Sequence, residues 1–161
     1  MDLLTLLVAC APLVAPSTAL ALVRVESGGN PYAIGVVGGH LVRQPRNLSE
    51  AQATAQALEQ AGWNYSVGLA QINRINFARF GLTPQTAFEP CENLRAMQGV
   101  LSECFVSASN KAAEQLALRR ALSCYYSGNF STGFAHGYVA RVVNTAFTAS
   151  TRGEVRPQQR P

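Results

Sequence analysis

The first 29 residues, MDLLTLLVACAPLVAPSTALALVRVESGG, constrain the fold more than any other stretch. They are apolar almost throughout, yet Pro12 and Pro16 cut the run into pieces shorter than the roughly 20 residues a membrane-spanning helix needs. A secretory leader is the competing reading, because the run closes on the small residues of Ala19-Leu20-Ala21. A leader also needs a positively charged start, and the only early charge is Asp2. The stretch therefore predicts two short helices, Leu3 to Cys10 and Pro16 to Ser27, both kept in the folded domain. Proline is tolerated in the first turn of the second, and Gly28-Gly29 accept the left-handed backbone that ends a helix. That stop leaves a carboxylate, Glu26, on the last turn of an apolar helix.

At 161 residues and 48% hydrophobic, the chain has enough material for one domain around one core. Its net charge of +4 is scattered without a dense basic cluster, which argues against a nucleic-acid partner. Four cysteines without CxxC spacing and only two histidines, His40 and His136, argue against a metal site, and no cofactor is expected. An even cysteine count in a small domain suits an oxidising compartment such as a bacterial periplasm.

The rest of the chain reads as mostly helical, interrupted once. Residues 34 to 46, IGVVGGHLVRQPR, carry β-branched residues on both sides of Gly38-Gly39 and predict a short hairpin or extended excursion. Asn47 caps the next helix, with Glu50 as capping-box partner and Leu48, Ala51, Ala55 and Leu58 as its buried stripe. A compact helix is expected from Gly68 to Phe80, stopped by Gly81. Pro90 opens another, with Cys91, Leu94, Met97, Leu101 and Cys104 on one face. Two more follow, over 111 to 126 after Asn110 and over 132 to 149, the last with Phe134, Tyr138, Val142 and Phe147 inward. The expected organisation is a domain over 1 to 149 and a mobile, aperiodic tail over 150 to 161.

Helix geometry prunes the cysteine pairings. Cys91 and Cys104 lie thirteen residues apart on one helix, about 20 Å at the usual rise, too far for a disulfide. If the 91 to 105 and 111 to 126 helices form an antiparallel hairpin, Cys124 returns towards Cys91. The expected pairs are then Cys91 with Cys124 and Cys10 with Cys104. The remaining alternative is Cys10 with Cys91 and Cys104 with Cys124.

Glu26 has few candidate partners among the acidic residues. Glu50, Glu59, Glu103 and Glu114 fall on amphipathic helices and read as solvated faces, while Glu89 and Glu92 sit at a helix start, where negative charge suits the dipole. None reads as a second catalytic carboxylate of the kind a two-carboxylate glycosidase requires.

Three ordered motifs then carry a resemblance. Glu26-Ser27 before Gly-Gly-Asn-Pro, Gly68-Leu69-Ala70-Gln71, and Cys124-Tyr125-Tyr126-Ser127-Gly128-Asn129 resemble the ES, GLMQ and AYN motifs of lytic transglycosylases with a goose-type-lysozyme-like fold. The flanking CAPLVAPST, NPYAIGVVGG and LVRQP resemble more narrowly the lytic transglycosylase subunits of bacterial type IV secretion systems, over about residues 8 to 145. The resemblance implies a mainly α, lysozyme-like α+β fold. It implies an enzyme that cuts the β-1,4 bond between N-acetylmuramic acid and N-acetylglucosamine in peptidoglycan, leaving a 1,6-anhydro ring. A lysozyme-type hydrolase and a noncatalytic wall-binding module are the alternatives.

By the same resemblance Glu26 is the acid/base, Ser27 helps fix it or the substrate, and Gln71 and Tyr125 line the cleft. Tyr126 stands where the third motif usually has Asn, and Ala70 where the second has Met, so the hydroxyl partner of Glu26 stays open; Tyr138 resembles a further position that orients it. Asn73 and Asn76 are read from chemistry as amides for sugar hydroxyls and N-acetyl groups. Trp63 fits either a sugar platform or a core anchor. His40 and His136 read as structural or exposed. The implied setting is a periplasmic monomer acting on glycan strands alongside other secretion components.

Overall fold

The computed structural model describes residues 1 to 109 and 113 to 154, with side chains to 149. Both N-terminal helices form: α1 spans Leu3–Cys10 and α2 spans Pro16–Ser27. Asp2, the early negative charge, is the N-cap of α1, its side chain accepting from the Thr5 amide at 3.1 Å. Gly28 ends α2 in the left-handed region at φ 65°, its amide donating to the Arg24 carbonyl.

The chain then enters a three-stranded antiparallel sheet, β1 (Ile34–Val36), β2 (Tyr65–Val67) and β3 (Ile72–Asn73), in that spatial order. The hairpin expected within 34 to 46 does not form, because β1 pairs with β2, Ile34 opposite Val67. Gln44 explains the difference. Its side-chain amide accepts from the Ile34 N–H at 2.8 Å and donates to the Ile34 carbonyl at 2.9 Å, satisfying the outer edge of β1 as a neighbouring strand would. Between β1 and β2 lies α3 (Leu48–Gln60), capped by Asn47 as expected, with Ala51 and Ala55 fully buried. The Glu50 carboxylate reaches back to the Arg46 amide and is clamped by Arg43 and Arg46. These bonds hold its pKa down at about 2.

The helix expected over 68 to 80 is also absent. Gly68 to Gln71 is the four-residue turn of the β2–β3 hairpin, with Gly68 at φ 79° and Gln71 at φ 49°, both outside helical geometry. After β3 come two single turns of 3₁₀ helix, Arg74–Asn76 and Ala78–Phe80, the second ended by Gly81.

The C-terminal half is helical: α4 (Pro90–Ser109), α5 (Glu114–Ser127), α6 (Thr132–Ala135) and α7 (Tyr138–Glu154). Residues 110 to 112, where the sequence placed the cap and start of α5, lie outside the described residues, as do 155 to 161 of the expected tail. The backbone of α7 continues through 150 to 154, past the point where that tail was expected to begin. The single helix expected over 132 to 149 is broken at Gly137, φ 73°. Tyr138 and Val142 point inward as predicted, but Phe134 is 44% and Phe147 is 70% exposed. Phe134 belongs to the separate α6, and Phe147 follows Tyr138 by nine residues, half a turn out of phase at 3.6 residues per turn.

The disulfides are Cys10–Cys91 and Cys104–Cys124, with Cα separations of 5.2 and 5.8 Å, which overturns the favoured pairing. The hairpin of α4 and α5 does form, but its arms are unequal. α4 has 20 residues and α5 has 14, so Cys124 meets α4 at the level of Cys104 rather than at its start. Cys91, on the first turn of α4, is left beside the end of α1. Leu22, Val23, Leu94, Met97, Leu122 and Val142 meet in the buried core, where α2 packs on α7 and α1 on α4. Among the described residues no helix is long and apolar enough to cross a membrane.

Candidate active site

A cleft of about 860 Å³ runs between the sheet and the helices. The sheet side contributes Gly35, Val36, Ser66, Gln71 and Asn73; α4 and α5 contribute Val100, Cys104, Tyr125 and Tyr126, and the end of α2 contributes Glu26. A second depression of about 570 Å³ shares Asn64, Asn73 and Ile75 with it.

The Glu26 carboxylate accepts a hydrogen bond from the Tyr138 hydroxyl at 2.5 Å, across 112 residues of sequence. Burial raises the Glu26 pKa from 4.5 to about 7; the Tyr138 bond and the positive charge of Arg141 pull the other way. The Tyr138 hydroxyl is itself pushed upward, by burial first and then by the neighbouring carboxylate. Half-buried, tied to one phenol and, among the described residues, in no ion pair, Glu26 is poised to hold or release a proton near neutrality.

The other residues singled out by sequence gather around Glu26, several in different roles. The Ser27 hydroxyl donates to the Leu69 carbonyl at 2.7 Å and accepts from the Gly29 amide at 3.1 Å, so it ties the end of α2 to the hairpin turn. Tyr125 donates to the Ala70 carbonyl of the same turn at 2.7 Å. Burial and the Glu26 charge keep its phenol protonated. The first and third motifs thus meet on the backbone of the second, and Tyr138 rather than Tyr125 is the hydroxyl partner of Glu26.

Gln71 lines the cleft, but its amide nitrogen donates to the carbonyls of Ala33 and Gly68, each at 3.0 Å. These bonds hold the residue in its left-handed backbone. A Cβ on Gly35 would lie 2.8 Å from the Gln71 Oε1, so only glycine lets this amide lie against β1. Asn73 lines both depressions and bonds to Asn64 Oδ1 at 2.8 Å and Ser66 Oγ at 3.2 Å. Tyr126, 41% exposed at the cleft, stacks on the Tyr138 ring with centroids 4.5 Å apart and hydrogen-bonds His136 Nδ1 at 3.0 Å. Where the motif usually has an amide, this chain has an aromatic brace behind the phenol that holds Glu26. Trp63 is half exposed, packs beside Gly39 and does not line the main cleft.

Sequence reasoning missed Asn93. Fully buried on α4, it donates to the carbonyls of Val67 and Ala87 at 2.9 and 2.8 Å and accepts from the Ala70 amide at 2.9 Å. It fastens the turn that carries Gln71 to the helical core. Its signal was an amide on the buried stripe, four residues before Met97. Two acidic residues have roles beyond the solvated face the sequence suggested. Glu59, part-buried, accepts from the Tyr65 hydroxyl and pairs with Arg74, both at 2.8 Å, while Glu103, exposed as expected, lines the cleft 3.2 Å from Arg79.

The chain is similar to known proteins over most of its length. The Transglycosylase SLT domain family matches residues 8–144. A "Type IV secretion system protein virB1" of Brucella abortus biovar 1 (strain 9-941) is 54% identical over 144 residues, 85% of this chain and 60% of the relative. A "Protein virB1" of Agrobacterium fabrum is 41% identical over 141 residues, covering 85% and 56%, and one of Rhizobium radiobacter is 38% identical over 151 residues, covering 93% and 62%. The chain therefore spans about 60% of the length of these relatives. No solved structure matches it. A lysozyme-like helical fold, a lone carboxylate at the end of α2 and three motifs converging on one turn go together with a family match over most of the chain: this protein belongs to the Transglycosylase SLT domain family.

Proposed function

We propose that the chain is a peptidoglycan lytic transglycosylase that cuts the β-1,4 bond between N-acetylmuramic acid and N-acetylglucosamine and opens the wall locally for a type IV secretion system. The family supports the reaction class, and the relatives' printed names support the setting. The observation that carries the reading is the Glu26 carboxyl, raised to a pKa of about 7 beside a cleft and held by Tyr138.

A group with that pKa serves both halves of the reaction. Protonated, Glu26 gives its proton to the glycosidic oxygen, and the C1–O bond breaks as N-acetylglucosamine leaves with its 4-hydroxyl restored. Positive charge at the muramoyl C1 is relieved by the oxygen of the adjacent 2-acetamido group, as in substrate-assisted enzymes. Glu26, now ionised and stabilised by the Tyr138 hydrogen bond, takes the proton of the muramoyl C6 hydroxyl. That oxygen attacks C1, expels the acetamido oxygen and closes the 1,6-anhydro ring. No water enters, and Glu26 ends protonated as it began. Gln71, Asn73, Tyr125 and Tyr126 surround the glycan, and Ser27 holds Glu26 to the turn.

The setting is the bacterial envelope. Two disulfides fit an oxidising periplasm, and the protein works there as a monomer with other secretion components nearby. Glu103 is the observation that favours a lysozyme-type hydrolase instead, since it is a second carboxylate along the same cleft. One of its oxygens is already engaged by Arg79 at 3.2 Å. Mass spectrometry of digested purified peptidoglycan decides. Muropeptides about 18 Da lighter than hydrolytic ones, the mass of one water, are expected. Reducing ends would establish the hydrolase. Wall binding without any cleavage, the same for wild type and Glu26→Gln, would leave only a noncatalytic module.

A further inference from the structure

We propose that Arg79 and Glu103 form a subsite for the charged peptide stem that hangs from the muramoyl lactyl group, an inference that rests on the peptidoglycan reading above. Of the described residues lining the cleft, only Glu26, Arg79 and Glu103 carry charge. The sugars of the glycan are neutral, and their hydroxyl and acetamido groups match amides such as Asn64, Asn73 and Asn76, which line the same cleft. In peptidoglycan the charge resides on the stem, as carboxylates and, where the stem contains a diamino acid, a free ammonium. An arginine and a glutamate side by side match that pair of charges.

The site is built rather than incidental. Phe80 lies against α4 where Gly99 has no side chain; a Cβ there would come within 2.3 Å of the ring. Glu103 is one helical turn further along α4, which brings it beside Arg79. The guanidinium carbon sits 5.0 Å from the Phe80 ring centroid, and Nη2 donates to Asn76 Oδ1 at 2.9 Å and lies 3.2 Å from Glu103 Oε2. Three contacts thus fix the guanidinium, while among the described residues Nε and Nη1 have no protein acceptor. Each of these remaining N–H groups can give a carboxylate one charge-assisted hydrogen bond, and Glu103 is placed to receive an ammonium. About half of each side chain is exposed, 51% for Arg79 and 54% for Glu103. An ion pair that open contributes little to stability, so its place on the cleft wall points to a ligand.

The test compares two soluble glycans of equal length, one with stems and one whose stems an amidase has removed and whose freed lactyl carboxylates are then capped as neutral amides. Cleavage is read as kcat/KM, and binding by calorimetry in Glu26→Gln protein. Wild type should favour the stem-bearing glycan about tenfold or more. Arg79→Ala should reduce that preference to within about twofold, mainly through KM. The exchange Arg79→Glu with Glu103→Arg keeps an ion pair between the 3₁₀ segment and α4; it should keep the melting temperature and still lose the preference. The proposal is overturned if wild type treats the glycans alike, if Arg79→Ala weakens both equally, or if the exchange restores preference and melting temperature together. Failure of the enzymatic reading looks different: neither glycan is cut, and the binding preference alone then decides the subsite.

Discussion

Two Glu–Tyr–Arg groups stand out among the described residues, and they differ in whether the guanidinium reaches the carboxylate. In the sheet region, Glu59 accepts from Tyr65 at 2.8 Å and its other oxygen meets the Arg74 guanidinium at 2.8 Å. Beside the cleft, Glu26 accepts from Tyr138, but Arg141 lies over the Tyr138 ring, 5.9 Å from its centroid, and donates to the His136 carbonyl. Both tyrosines are almost fully buried. Where the guanidinium reaches the carboxylate, the group pins α3 to the chain after β3. Where it stops short, burial prevails and the carboxyl rises to about 7. The same three residue types make a structural clasp in one place and an acid in the other.

The sharpest way to break this contrast is Glu26→Gln. It should lower the cleavage rate by at least ~10²- to 10⁴-fold, the usual contribution of a positioned acid/base. Stability should move the opposite way above neutrality. Because the folded pKa lies above the unfolded one, the native state holds the proton more tightly, so the contribution of Glu26 to stability is full below pH 4.5 and is lost as pH rises through about 7. Over that window the loss approaches about 3 kcal/mol. Urea midpoints at pH 5 and pH 8 should converge for the glutamine variant, and an unchanged pH slope would refute the burial argument.

Asn93→Ala removes the joint between the two regions. Three backbone groups, of Val67, Ala87 and Ala70, lose their buried partner, at a cost of about 3 kcal/mol. Thermal melting measures that, and a melting temperature within a degree of wild type would show that the turn needs no anchor. Tyr138→Phe takes away the donor that favours the ionised form of Glu26. The rate should fall about tenfold, roughly what a lost hydrogen bond to a charged group implies. The alkaline limb of the pH–rate profile should move above 7, and a downward shift would mean that the phenol acts otherwise. Smallest is the contrast between the two arginines. Arg74→Ala should cost about 1 kcal/mol, as a part-exposed ion pair does, with no change in the pH profile. Arg141→Ala should leave unfolding nearly untouched and raise the kinetic pKa slightly, as loss of its attraction for the ionised carboxyl requires.

Helices with a clean stop signal were legible in the sequence. α2 ends at Gly28 and α3 begins at Asn47 because capping residues and apolar spacing act within a few positions. The Gly68–Gln71 turn was not, because its shape comes from side chains elsewhere: Asn93 from α4, Tyr125 from α5 and Ser27 from α2. Local helical propensity over 68 to 80 is weaker than that set of bonds. β1 was visible as a β-branched run, but its true partner lay thirty residues away and Gln44 occupied the edge where a hairpin was expected.

By itself the sequence determined three of the side chains that line the cleft, Glu26, Gln71 and Tyr125, because the motifs place them at recognisable local signals. It also determined that the domain would be mostly helical, since apolar periodicity and caps are short-range properties. Only the tertiary structure decided which phenol reaches Glu26, which cysteines pair and which acids face the cleft. Tyr138 lies 112 residues from Glu26, and Cys124 finds Cys104 because α5 is shorter than α4. Arg79 meets Glu103 across a glycine where two segments pack closely. Each outcome depends on lengths, crossings and close approaches between distant segments, and those distances exist only after the chain has folded.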